Sequence, residues 1–316
     1  MKARGKVAIG LAIALVAAFP ITRSLADSET STVQSLQISP PTALVDRAIP
    51  ANLQPSLAAV KTDRPKPYKD RCHTQQDLER SQSACEYGNL KSKTTIVLFG
   101  DSHALSWFPA LERLAIAKDW KLLSLTMSSC WPADIPAWNS TTNKLMPNCA
   151  IWRTDALNDI AKLKPSMVFV TGTRGFTTVD KSNKVLLGDD RTAAWEAGMD
   201  RTLTKLKKAS SEVVFISDTP ISKYDAPVCL AEHTQSIASC ATPFDKSVST
   251  SWLTEEAKVA QSENVTWVNP TSWICSTDPC SPLSGRYEIF VDKGHLTASF
   301  AWTLERPLWK QLTTNN

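Results

Sequence analysis

Two short runs carry the residue types that acyl transfer needs: Gly100-Asp101-Ser102-His103 and Asp292-Lys293-Gly294-His295. A serine hydroxyl is a weak nucleophile until a base takes its proton. An imidazole base in turn needs a third group to hold its tautomer and balance the imidazolium that forms. Ser102 as nucleophile, His295 as base and Asp292 as orienting acid would fill these roles. With four histidines in 316 residues, an Asp-x-x-His run is an uncommon accident. Each run also has an ordinary reading: Asp101 or Ser102 would cap a helix, and Asp292 with His295 would close a polar surface turn. The chemistry requires neither a metal nor an organic cofactor.

Such distant residues need a frame that brings them to one rim. Residues 95–99 form an apolar, β-branched run of the kind buried in a parallel sheet, ending at Gly100. Helical spacing follows through Leu105, Phe108, Leu111, Leu114 and Ala115. Further strands are expected at 121–127, 166–171, 212–217 and 265–268, and helices at 149–163, 190–208 and 254–262. A closing helix is expected over 296–309, with Pro307 as a possible early stop. This alternation predicts an α/β fold with a mostly parallel five-stranded sheet covered on both faces. Functional residues gather at the carboxyl ends of such strands, where Gly100 to Ser102, the loop at Ser128 to Cys130 and the run Gly172 to Gly175 fall. Ser102, at a helix N-terminus, would have backbone N–H groups at hand for a developing oxyanion. His103 is expected to pack or hydrogen-bond along that helix, while His73 and His233 receive no role.

Lys2, Arg4 and Lys6 precede an apolar stretch over 7–19, and Ser24-Leu25-Ala26 offers a cleavage site. Residues 1–26 read as a signal peptide, or as an uncleaved N-terminal anchor, so the protein is expected to be exported, periplasmic or secreted. Residues 27–70 are rich in Pro, Ser and Thr and read as a flexible tether, with the folded domain over 71–316. The eight cysteines fall into four neighbouring couples: Cys72 and Cys85, Cys130 and Cys149, Cys229 and Cys240, Cys275 and Cys280. An oxidising compartment would let them pair as disulfides; zinc is the competing reading, but no couple has Cys-x-x-Cys spacing. The formal charge of +4 shows no dense basic patch, which speaks against a nucleic-acid partner. Of eleven tryptophans, Trp107 and Trp131 lie nearest the expected rim and are candidates to stack on a sugar, with core packing the alternative.

The Gly-Asp-Ser and Asp-x-x-His blocks together resemble the outer marks of the SGNH (GDSL-like) hydrolase superfamily. The chain is most similar to the SGNH domain of the acyltransferase-three group of O-acetyltransferases. The run Val97-Leu98-Phe99-Gly100-Asp101-Ser102-His103-Ala104, the loop Ser129-Cys130-Trp131-Pro132, and Asp218-Thr219-Pro220 carry that resemblance. So do the Cys229 segment, the Cys275 to Cys280 loop, and Tyr287 leading to Asp292 and His295-Leu296.

The resemblance implies a three-layer α/β/α, flavodoxin-like fold and the Ser102, His295 and Asp292 roles. It also implies an esterase or O-acyltransferase working on acyl esters, chiefly O-acetyl groups of cell-envelope glycans. Two departures stand out. The superfamily's third block supplies an oxyanion-hole asparagine, whereas this chain reads Gly172-Thr173-Arg174-Gly175. Arg174, the Ser102 amide and a group at Ser128 or Ser129 are the substitute donors. No multi-span membrane domain is legible, so a transferase would draw its acyl donor from a separate membrane acyltransferase. The alternative is a catalytically weak SGNH module that binds glycan or assists such a partner.

Overall fold

The computed structural model describes residues 42–76 and 85–314; the expected signal segment and the first part of the tether lie outside them. Among the described residues no helix is long and apolar enough to cross a membrane. The strands of the main sheet are β1 (His73–Thr74), β2 (Glu86–Gly88), β3 (Thr95–Gly100), β4 (Lys121–Met127), β5 (Met167–Thr171), β6 (Glu212–Ile216) and β7 (Thr266–Val268). Their order is β7-β6-β5-β3-β4-β1, all parallel, with β2 antiparallel on β4. The sheet thus has seven strands where five were expected. The two additions are only two and three residues long, too short to show a period of their own. They share the outer edge of β4, and the Cys72–Cys85 disulfide links the chain at their bases.

β3 is buried at every position, and its alternation feeds two cores. Ile96 and Leu98 join one cluster with helices α2 (Phe108–Lys118), α6 (Ala298–Thr303) and α7 (Glu305–Thr314). Val97 and Phe99 join the other, with α3 (Pro147–Leu163), α4 (Gly188–Ala209) and α5 (Thr250–Ser262). Each fully buried Ile, Leu, Val or Phe stabilises the fold by about 1.5–3 kcal/mol relative to exposure. The result is the three-layer α/β/α arrangement. β3 connects to β4 on one side, and the chain then crosses back over β3 from β4 to β5 on the other, so the carboxyl end of β3 is the topological switch point.

The helices follow the expected order with local revisions. A short α1 (Ser102–Leu105) precedes α2, whose Pro109 sits in the first turn, where a missing N–H costs nothing. The expected closing helix is two helices, α6 and α7, and Pro307 falls in the first turn of α7. It therefore starts a helix rather than ending one. The four cysteine couples are joined as disulfides, each with its neighbour in sequence.

The described part of the expected tether, residues 42–70, lies against the domain and corrects that expectation. Thr42–Ala43 pairs with Thr277–Asp278. The Gln54 amide donates to Arg286 O (2.8 Å), and Gln54 O accepts from Glu288 N (2.9 Å). Leu44, Ile49, Leu53 and Leu57 pack on the cluster around Leu230 and Ile237, and Val60 is fully buried. An extended strap shows no helical period in sequence, and its partners come from the far end of the chain.

Candidate active site

Gly100 ends β3 with φ +148°, and a Cβ there would lie 1.9 Å from Thr171 O and 2.8 Å from Ala104 Cβ. Only glycine lets β3, β5 and α1 meet so closely. Asp101 then caps α1: its Oδ1 accepts from the amides of His103 (2.8 Å) and Ala104 (3.3 Å), and its Oδ2 accepts from Thr173 N (2.8 Å). The cap is therefore Asp101, and the Ser102 side chain is left free of that duty. Ser102 Oγ lies 2.9 Å from His295 Nε2.

His295 Nδ1 is 3.0 and 3.1 Å from the two carboxylate oxygens of Asp292. Asp292 Oδ1 also accepts from the amides of Gly294 (2.9 Å) and His295 (2.8 Å), closing the turn on itself. Burial opposes ionisation of Asp292. The hydrogen bond and charge of His295, with those two amides, outweigh it and hold the carboxyl well below the usual range. An ionised carboxylate only accepts, so Nδ1 carries the imidazole proton and Nε2 is left to accept from Ser102. The arrangement can move a proton from Ser102 Oγ to His295 while Asp292 balances the new charge. Arg64, from the strap, places Nη2 3.3 Å from Asp292 Oδ2.

Behind this row stands a second histidine–carboxylate pair. His103 Nδ1 donates to Asp218 Oδ1 at 2.7 Å. Asp218, two residues past the end of β6, also accepts from Thr219 N (2.8 Å) and Arg174 N (2.9 Å). Burial pushes against a charged His103, but the Asp218 charge and hydrogen bond prevail and raise it to about 9. The loop after β6 also reaches the turn from Asp292 to His295, with Ser222 N donating to Lys293 O (2.8 Å). Neither Asp218 nor Arg64 was assigned a role from sequence. Asp218 lay in a run that marks the resemblance, whereas nothing local distinguishes Arg64. His73, on β1, is buried with Nδ1 2.9 Å from Thr126 Oγ1, and burial pushes it down to about 4.

Three of the expected site residues look different in the fold. The Arg174 guanidinium is committed to Thr219 O (3.2 Å) and Ser247 O (2.7 Å), and its amide to Asp218, so it braces the β5 and β6 loops instead of facing a substrate. Trp107 is 0 % exposed and Trp131 4 %, so neither offers an open ring face. Both sit where large apolar side chains fill core space, Trp107 against Trp273 and Trp131 against Phe176. Ser129 keeps its place as a candidate: it has a left-handed φ of 54° in the loop after β4, and no hydrogen-bond partner is found for it among the described residues. A cavity of about 990 Å³ opens beside Arg64, lined by Asp63, Tyr68, Tyr287 and Trp302 among others. Trp302 is 48 % exposed, with the Arg113 guanidinium over its ring. No group of His, Cys, Asp and Glu among the described residues could hold a metal ion.

The model of the SGNH domain (fused to AT3 domains) matches residues 71–310. No curated protein matches the chain. Among solved structures, the periplasmic domain of a lipopolysaccharide acetyltransferase from Salmonella ser. Paratyphi A is similar, with TM-score 0.56 and 18% identity over 71% of this chain and 85% of that one. An acetylxylan esterase from Geobacillus stearothermophilus is similar at TM-score 0.40 and 11% identity, over 71% of this chain and 96% of that one. With three quarters of its length matched by the family model, the chain belongs to the SGNH domain family found fused to AT3 domains, and it is an ester-acting hydrolase or acyltransferase.

Proposed function

We propose that this protein is an exported serine esterase or O-acyltransferase that acts on acyl, chiefly O-acetyl, esters of cell-envelope glycans through Ser102, His295 and Asp292. The observation that carries the reading is the row Ser102 Oγ, His295 Nε2, His295 Nδ1 and Asp292, with steps of 2.9 and 3.0 Å. Ser102 Oγ attacks the ester carbonyl carbon as its proton passes to His295 Nε2, and the carbonyl π pair moves onto oxygen. The Ser102 amide, first in α1, and the donors of Ser129, which have no partner among the described residues, are the candidates to receive that oxyanion. Collapse breaks the bond to the leaving alkoxide, which takes the proton back from His295, and an acyl-Ser102 remains. Water or a sugar hydroxyl then repeats the sequence in reverse.

Four disulfides support an exported setting. The cavity beside Arg64, with tyrosine and tryptophan faces among paired acids and bases, suits a saccharide. As a transferase, the enzyme would take its acyl group from a separate membrane acyltransferase, in keeping with the AT3 fusion of its family. Wild-type protein is expected to release acetate from a chromogenic acetate ester and Ser102→Ala to lose at least about a thousandfold. Equal rates in the two proteins would reject the assignment.

A second reading has its own support: the amides of Thr173 and Arg174 and the Arg174 side chain are all spent on internal acceptors. A site so short of donors fits a module that binds glycan and turns over poorly. Intact mass after treatment with a fluorophosphonate separates the two, since a dead site leaves Ser102 unlabelled.

A further inference from the structure

We propose that the cavity beside Arg64 is a distal subsite for a neutral oligosaccharide chain, with Trp302 as the platform for a sugar ring and Glu112 as an acceptor for its hydroxyls. The proposal rests on the reading of Ser102, His295 and Asp292 as a site for glycan esters, and it places in the cavity the sugar residues beyond the one that carries the ester.

Arg64 fixes the place of the cavity relative to the nucleophile. It lines the cavity and meets Asp292 Oδ2 at 3.3 Å, while Ser102 stands at the other end of the row, beyond His295. The cavity therefore receives a neighbouring part of the chain and not the sugar under attack. Its volume of about 990 Å³ lies at the upper end of the usual range for small-molecule sites, about 300–1,000 Å³. Trp302 lines it and is 48% exposed, unlike the buried Trp107 and Trp131. The Arg113 guanidinium lies 3.5 Å from the centre of the Trp302 ring and is itself held by Trp302 O and Glu305. Arg113 does not line the cavity, so it backs the indole from the far side and leaves the other face to the cavity. An aromatic face braced in this way takes the apolar face of a sugar ring with little loss of side-chain freedom.

The polar lining fits hydroxyl groups. Glu112, on α2, is half-buried, and neither its carboxylate nor the side chains of Gln54 and Ser299 have a hydrogen-bond partner among the described residues. Groups in this state, partly desolvated at Glu112 and Ser299, gain most from a ligand that brings its own donors and acceptors. The charge balance selects against an anion. Arg64 is paired with Asp292 and Lys66 with Asp70. Asp63 Oδ2 accepts from the Ser299 amide (2.9 Å), which ties the strap to α6. Lys69 is the one lining cation without a carboxylate partner among the described residues, and the carboxylates of Asp63 and Glu112 stand against it. A uronate or a phosphorylated sugar would meet an excess of like charge, whereas a neutral chain would not.

The test is calorimetric titration of the full-length wild type with unacylated hexasaccharides of glucose, mannose and galactose, with hexagalacturonate as the acidic comparison. At least one neutral chain is expected to bind, and more tightly than hexagalacturonate. Trp302→Ala should weaken that binding about tenfold or more, and Trp302→Phe, which keeps a ring, should recover part of the loss. Glu112→Ala, with the indole in place, should weaken it about fivefold to tenfold. Thermal melts check the fold of each variant, and Glu112→Ala decides if Trp302→Ala does not fold. No binding of any neutral chain, tighter binding of hexagalacturonate, or wild-type affinity in the folded variants overturns the proposal. Fluorophosphonate labelling of Ser102 separates the subsite from the esterase reading. Wild type that binds a hexasaccharide but is not labelled sinks that reading and keeps the subsite; labelled wild type that binds none sinks the subsite alone.

Discussion

Asp292→Asn is the sharpest probe of the proposed site, because it changes one atom and leaves the turn its acceptors. In the wild type, Oδ1 receives the Gly294 and His295 amides at 2.9 and 2.8 Å, and an asparagine oxygen can keep both. The amide NH₂ then takes the place of Oδ2 and points a donor at His295 Nδ1, now 3.0 Å away and itself a donor. Two donors oppose each other across that gap and the Nδ1 proton keeps only the 3.1 Å contact with Oδ1, which favours the tautomer with the proton on Nε2, the atom 2.9 Å from Ser102 Oγ. Nε2 can then no longer accept, and the stabilising charge beside the imidazolium is gone. For a tautomer reversal of this kind the expected loss in kcat is about 10³–10⁴-fold, or about 4–5.5 kcal/mol of barrier. The assay is hydrolysis of a chromogenic acetate ester, with a thermal melt to show that the fold is intact. A folded variant within about tenfold of wild type would refute the role assigned to Asp292.

Gly100→Ala drives a Cβ into Thr171 O, a backbone atom between two paired central strands. A loss of about 3 kcal/mol or more is expected, a large part of a typical folding free energy, and an unchanged denaturation midpoint would contradict the packing described. Stability should also fall as pH rises from 6 to 9. His103 is raised to about 9, so its contribution is complete below the unfolded histidine value of about 6.5 and is lost as pH rises through 9. Glu256 and Glu288 are raised by burial to about 8, so their folded forms hold protons that the unfolded chain releases above about 4.3, with the same sign. Thermal melts across that range check this, and a midpoint that holds or rises would refute it.

The frame and the outer members of the proposed site are legible in the sequence as candidates because they depend on short-range pattern. Buried β-branched runs give β3 to β7, and Gly-Asp-Ser at a strand end puts Ser102 at a helix N-terminus. The cysteine couples close loops of 5 to 19 residues, which chain proximity favours. β1 and β2 escaped notice because two or three residues carry no period.

Ser102 with Asp292 and His295 could be named from residue type and spacing, since acyl chemistry needs few side chains and each sits in a recognisable local run. The surroundings could not, because they are made by partners far apart in the chain. Arg64 meets Asp292 across 228 positions and His103 meets Asp218 across 115. The same holds for the burial of Trp107 and Trp131 and for the capture of Arg174 by the carbonyls of Thr219 and Ser247. Whether an indole faces a substrate or the core, and whether a guanidinium is free or spent, depends on which surfaces the folded layers bring against it. Local pattern thus set the chemistry this chain can attempt, and tertiary packing decided which side chains surround it.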